Sequence, residues 1–256
     1  MNVMSEDYNI MTNEKQIARS VMRNILFKIE NLSKSYQMGE VTVEALKDVS
    51  FEIYDGEFVV ILGPSGSGKS TLLNIIGGMD VPSSGKVYFK EQDITDYNEK
   101  KLTNFRRKDV GFIFQFYNLL GNLTARENIE LAVEICEDTL DIDEVIRAVN
   151  LQDRANHFPS QMSGGEQQRV AIARAASKNP EVMLCDEPTG ALDFETGISI
   201  LKVLKQVNQE FKRTVIVITH NTPVAQMADR VLKMRSGRII ESYTNDTPID
   251  PERIEW

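Results

Sequence analysis

The chain has 256 residues, of which 26% are charged and 41% hydrophobic, the make-up of a globular protein and not of a disordered chain. That length suits one large domain or one domain with an inserted lobe, and the second arrangement is expected here. The formal net charge of −9 argues against a nucleic-acid partner, because affinity for phosphate backbones comes mainly from clustered Lys and Arg.

Residues 1–23 read as a polar extension: Ser5, Glu6, Asp7, Asn9 and Asn13 interrupt each apolar stretch, unlike a secretory signal. The longest apolar runs, at 58–62 and 215–218, fall far short of the roughly 20 residues a membrane-spanning helix needs. Two cysteines, Cys136 and Cys185, read as small core residues and suit a reducing cytoplasm.

Residues 25–30, and Val49, Phe51 and Ile53 alternating with Ser50, Glu52 and Tyr54, have the period of half-buried strands and suggest an antiparallel edge region. Four runs are apolar nearly throughout: FVVIL at 58–62, VGFIF at 110–114, VMLC at 182–185 and VIVI at 215–218. Strands in a parallel sheet covered on both faces demand such runs. Leu72, Leu73, Ile75 and Ile76, and later Ile200, Leu201 and Leu204, have helical spacing, so the fold class is α/β. Residues 116–165 carry helical signals around 125–135 and 142–149 and are expected to form an inserted helical lobe. The acidic run from Glu134 to Glu144 reads as its solvated face.

Polar residues follow each apolar run: Gly63 and Lys69, then Gln115, then Asp186 and Glu187, then His220. Ligands of open parallel sheets bind beyond the carboxyl ends of the strands, so these regions converge on one expected crevice.

Gly63, Pro64, Ser65, Gly66, Ser67, Gly68, Lys69 and Ser70 fit the phosphate-loop pattern G-x-x-x-x-G-K-[ST] between a strand and a helix. Glycines let backbone N–H groups face the phosphates, and the following helix presents its positive end. Lys69 would bridge phosphate oxygens, Ser70 would ligate Mg²⁺, and Thr71 would add an α-phosphate contact. Asp186 and Glu187 end a buried strand, where two carboxylates need compensation. Asp186 would hold Mg²⁺ through water, and Glu187 would orient and deprotonate the attacking water. Ser163, with Glu166 three residues on, is also a capping pattern open to any helix. The adjacent Gly164 and Gly165 leave N–H groups bare enough to approach an anion.

In order, the phosphate loop, Gln115, MSGGEQQRVAIARA at 162–175, CDEPTGALD at 185–193 and His220 resemble the nucleotide-binding subunit of ABC transporters over about residues 25–240. The resemblance implies a P-loop NTPase core with a mostly parallel sheet, an antiparallel β subdomain and an inserted α-helical subdomain. The ATPase domain would span 24–245, with a tail at 246–256. It further implies that Tyr36, in SKSY, stacks on adenine, although a core tyrosine reads similarly. Gln115 would touch Mg²⁺ and the attacking water. Ser163, Gly164 and Gly165 would contact ATP held by a second copy, Asp193 would cross the same interface, and His220 would contact the γ-phosphate; His157 is left a structural place. Met162 and Glu166 depart from the commonest form, LSGGQ, and Glu166 is expected to turn back to the helix cap. The SGGEQQR form, LLNIIGGMDVPSSG and FYNLLGNLTARENI resemble the branch of macrolide exporters, lipoprotein-releasing systems and bacitracin-type peptide resistance pumps.

The function so implied is an ATP-hydrolysing subunit, with ATP and Mg²⁺ as ligands. It would pair with a second copy of itself and power a separate integral membrane permease from the cytoplasmic face, exporting a peptide, antibiotic or lipophilic substrate. The alternatives are a regulatory ATPase coupled to a cell-envelope or cell-division membrane protein, and a soluble translation-associated or repair ATPase.

Overall fold

The structure is a computed structural model that describes residues 24–255; the expected polar extension at 1–23 lies outside the described residues. Strands β1 (Ile25–Met38), β2 (Val41–Tyr54), β4 (Ser84–Phe89) and β5 (Gln92–Asp93) form one antiparallel sheet in the order β2-β1-β4-β5. The two strands read as an edge region therefore belong to a sheet of their own.

The second sheet has the order β10-β9-β3-β8-β7-β6, from β3 (Phe58–Leu62), β6 (Val110–Ile113), β7 (Val182–Asp186), β8 (Thr214–Thr219), β9 (Arg230–Arg235) and β10 (Arg238–Thr244). Pairings β3–β8, β3–β9, β7–β8 and β6–β7 are parallel, and only β9–β10 is antiparallel. The apolar runs are explained by two cores, one on each face. From β3, Phe58, Val60 and Leu62 enter a core with the helices, whereas Val59 and Ile61 enter a core with the antiparallel sheet. Every β3 residue is buried, and each such apolar side chain contributes about 1.5–3 kcal/mol on removal from water.

Helix α1 (Lys69–Ile76) follows β3 and buries Leu72, Leu73, Ile75 and Ile76. Helix α2 (Glu99–Lys108) precedes β6. Between β6 and β7 come α3 (Ala125–Val133), α4 (Ile142–Ala148) and the longer α5 (Gly164–Ser177), while α6 (Phe194–Glu210) joins β7 to β8. Thr124 caps α3 through a capping box with Glu127, and Asp141 caps α4, satisfying N–H groups that a helix start leaves unpaired. After β10 the chain returns to α6: Ile254 is buried in the helical-side core, and Lys202 pairs with Glu252.

Candidate functional site

Parallel register sets the carboxyl ends of β3, β7 and β8 side by side, with Leu62 opposite Thr219 and Asp186 opposite Ile218. The segments that follow carry the chemistry. Gly63 leaves β3 so close to its neighbours that a Cβ there would lie 2.4 Å from the Met234 carbonyl oxygen and 2.6 Å from Ser67 Oγ. Gly68 turns the chain into α1 at φ 100°, a conformation that favours glycine.

Lys69 is buried, and its Nζ donates to the carbonyl oxygens of Gly63 at 2.7 Å and Pro64 at 3.1 Å. Glu187 Oε1 stands 3.9 Å from the same nitrogen. Burial holds the Lys69 ammonium below the ordinary lysine range, against the pull of Glu187 and Asp186. Ser70 Oγ and Asp186 Oδ1 are 3.4 Å apart. Burial pushes the Asp186 carboxyl up; Glu187 reinforces this, and the Ser70 hydroxyl and Lys69 oppose it.

Glu187 has φ 47°, a left-handed conformation that costs a residue bearing Cβ about 1–2 kcal/mol. Two backbone bonds hold it there: its N–H donates to the Ile218 carbonyl at 3.0 Å, and its carbonyl accepts from Gly190 at 3.0 Å. The turn aims the carboxylate at His220, whose Nδ1 lies 3.0 Å from Oε1. Gln115 joins from β6: a Cβ on Gly190 would sit 3.2 Å from Gln115 Nε2 and 3.4 Å from Glu187 Cβ. Lys69, Ser70, Gln115, Asp186, Glu187 and His220 thus gather at one end of the sheet, as the strand-end reading expected.

Tyr36 is on β1, 37% exposed, and is tied to the segment after α1 by a hydrogen bond from its hydroxyl to Asp80 Oδ2 at 2.7 Å. It stands on the surface and not in the core.

The segment at 163–165 begins α5 with a full capping box. Ser163 N–H and Oγ–H donate to Glu166 Oε2 at 2.7 and 2.9 Å, and Glu166 N–H donates to Ser163 Oγ at 3.3 Å. The Glu166 carboxylate turns back to the cap as expected, and its other oxygen accepts from Arg154 Nε at 2.8 Å. The glycines also have a packing reason that bare N–H groups do not express. A Cβ on Gly165 would fall 2.3 Å from Thr196 Cγ2, and one on Gly164 would fall 2.8 Å from the Tyr117 hydroxyl. Asp193 caps α6 through Thr196 N–H at 3.0 Å and Oγ1–H at 2.7 Å, so α5 and α6 start against each other. His157 belongs to the lobe, with Arg154 as neighbour at 3.4 Å.

Among the described residues, no hydrogen bond or ion pair joins Ser163, Gly164, Gly165 or Asp193 to the group around Lys69 and Glu187. The phosphate loop fits a polyphosphate. Helix α1 has no side-chain cap, Gly66 has nothing within 4 Å of where a Cβ would be, and Ser67 Oγ is buried without a partner. Pro64, Ser65 and Gly66 are exposed. A cleft of about 950 Å³ lined by Lys28, Tyr88 and Lys90 includes none of these residues and plays no part in the site.

Residues 46–190, more than half of the chain, match the family model described as ABC transporter. The chain belongs to that family. The ABC transporter ATP-binding protein MJ0796 of Methanocaldococcus jannaschii is 46% identical over 223 residues, 84% of this chain and 95% of that protein. The macrolide export ATP-binding/permease protein MacB of Azoarcus sp. is 41% identical over 232 residues, 89% of this chain but 35% of the relative. A solved dimeric structure of the ATP-binding cassette MJ0796 in a post-hydrolysis state, bound to ADP and Pi, superposes with a TM-score of 0.77 at 43% identity; the match covers 85% of this chain and 98% of that one. The chain is accordingly an ATP-binding, ATP-hydrolysing ABC subunit with the P-loop NTPase fold.

Two contacts in this ABC subunit were not read from the sequence. Arg174 of α5 donates to the carbonyls of Asn118 at 2.5 Å and Tyr117 at 2.8 Å, both at positive φ in the loop after Gln115. Asp80 anchors Tyr36. Neither had a sequence signal, since the partners lie 56, 57 and 44 positions apart.

Proposed function

We propose that two copies of this chain close around ATP, the phosphate loop of each meeting Ser163, Gly164 and Gly165 of the other, and that hydrolysis reopens them. The observation that carries this reading is that, within one copy, no hydrogen bond or ion pair among the described residues joins the signature segment to the phosphate loop. The dimeric form of the MJ0796 cassette with ADP and Pi supports it.

In this reading residues 63–71 hold the phosphates, with Lys69 released from the Gly63 and Pro64 carbonyls to bridge phosphate oxygens. Ser70 and Gln115 would supply oxygen donors to Mg²⁺ and Asp186 would hold it through water, since that ion usually keeps several water ligands. Bound Mg²⁺ would neutralise charge developing on the transferring phosphoryl group. Glu187 orients the attacking water and takes its proton, Gln115 lines the same turn, and His220 contacts the γ-phosphate. Tyr36 stacks on the adenine.

The cycle drives a separate permease bound from the cytoplasmic face of the membrane. Among the described residues no helix is long and apolar enough to cross a membrane. Likeness to a macrolide export protein supports export of an antibiotic, peptide or lipophilic cargo. Turnover measured against protein concentration tests the two-copy site: specific activity rises with concentration until the dimer saturates, and a flat profile down to nanomolar protein contradicts it.

A further inference from the structure

Lys34 and Tyr36 lie two positions apart on β1, across a register shift between Lys34 and Ser35, and their side chains meet at Asp80. The buried Lys34 donates from Nζ to Asp80 Oδ1 at 2.7 Å and to the Val81 carbonyl at 2.6 Å, and stands 4.8 Å from the centre of the Tyr36 ring. Asp80 also accepts from Val81 N–H at 2.7 Å on Oδ1 and from the Tyr36 hydroxyl at 2.7 Å on Oδ2. Burial alone would raise the Asp80 carboxyl; the donors Lys34, Tyr36 and Val81 outweigh it and leave the group below the ordinary carboxylate range. Burial and the bond to Asp80 raise the Tyr36 phenol, with Thr71 pulling the other way.

Asp80 is fixed in turn to the phosphate-loop helix, since Asn74 of α1 accepts from the backbone N–H groups of Met79 at 2.8 Å and Asp80 at 3.2 Å. One short, fully bonded path thus runs from α1 through Asp80 to the Tyr36 hydroxyl. Both oxygens of the carboxylate have donors, so a rotated Tyr36 ring would leave a half-buried acceptor short of a partner. The ring stays 37% exposed and can still meet a planar ligand.

We infer that Asp80, braced by Lys34, is a positioning residue that holds the Tyr36 ring at a set place relative to the phosphate loop, ready for the purine base of a nucleoside triphosphate. This rests on the reading of Tyr36 as the base-stacking residue. Ordering the ring before binding removes an entropy cost otherwise met on association, and releasing it should weaken binding about two- to tenfold.

Equilibrium binding of ATP and of inorganic tripolyphosphate, which has the phosphates but no base, tests this in the full chain. Tyr36→Phe keeps the ring and removes its anchor, Asp80→Ala removes the anchor from the other side, and Tyr36→Ala removes the ring. Expected are ATP affinities two- to tenfold weaker for Tyr36→Phe and Asp80→Ala, with tripolyphosphate unchanged and the double variant no worse than either single one. ATP affinity kept by Tyr36→Phe but lost by Tyr36→Ala would leave the stacking role standing and overturn the positioning role. Equal affinity for ATP in Tyr36→Ala and the parent would remove the stacking reading itself, and the inference with it. Should Asp80→Ala fail to fold, Tyr36→Phe alone decides. Tripolyphosphate weakened as much as ATP in that variant would place the effect in the phosphate loop and overturn the inference.

Discussion

Glu187 Oε1 and His220 Nδ1 meet at 3.0 Å across the ends of two neighbouring strands, while the same carboxylate oxygen stands 3.9 Å from Lys69 Nζ. The carboxylate proposed to act on the attacking water is therefore held between His220 and Lys69. Removing His220 should harm the reaction more than the binding. His220→Ala is expected to lower kcat by about 10²-fold or more, within the span usual for loss of a positioned catalytic partner, with nucleotide affinity in EDTA changed little. Rapid-quench turnover alongside equilibrium binding checks this; equal losses in both would assign His220 to binding.

Lys69 gives a pH dependence. Its burial holds the ammonium below the ordinary range, so the free protein loses this charge at a lower pH than an ordinary lysine, which titrates at about 10.4. Bound phosphates favour the charged form and raise its pKa again. Affinity for ATP should then fall as pH rises through the free-protein value, and binding in that window should take up a proton. Calorimetry in two buffers of different ionisation enthalpy reads the uptake directly. No buffer dependence on the alkaline side would contradict the assignment.

The packing of Gly165 predicts a stability effect separate from nucleotide contacts. A Cβ there would meet Thr196 Cγ2 at 2.3 Å, and Gly165→Ala should cost about 1–3 kcal/mol, the usual range for overpacking. Adding Thr196→Ser removes the offending methyl and keeps the hydroxyl that donates to Asp193. Urea unfolding should show most of the lost stability regained in the double variant. A loss that persists unchanged would rule out this contact as its cause.

The two thiols should separate cleanly. Cys185 is 0% exposed, and burial pushes its thiol up, with Asp186 adding to the effect, whereas Cys136 is only partly buried. Thiolate is the reactive form, so a disulfide reagent should modify one cysteine in the native protein and both in denaturant. Rapid native modification of Cys185 would place β7 outside the core.

Much of the site was legible because buried parallel strands announce themselves. FVVIL, VMLC and VIVI are apolar without alternation, and each ends in the polar residues that the sheet then gathers. The capping box at Ser163 was equally visible, since its partner is three residues away. Less was legible where contacts are distant or patterns mixed. The continuation of β1 to Met38, past residues 25–30, was not legible because register shifts between Ile29 and Ser35 break the alternation that marks its start. Helix α2 buries only Leu102 and Phe105, too few apolar positions to set a period. Strands β9 and β10 gain their place from pairing with β3 and with each other, which no local run of residues encodes. The Asp80 anchor on Tyr36 and the Arg174 grip on the loop after Gln115 depend likewise on tertiary placement.

The central claim is that one copy holds only half of each site. Glu187→Gln keeps the shape of the side chain and removes the base, so ATP should bind without being consumed. Analytical ultracentrifugation of that variant with ATP and Mg²⁺ should show a dimer that returns to monomer when Ser163→Arg is added, with ATP still bound to the phosphate loop. A Glu187→Gln protein that binds ATP and remains monomeric at every concentration tested would contradict the account.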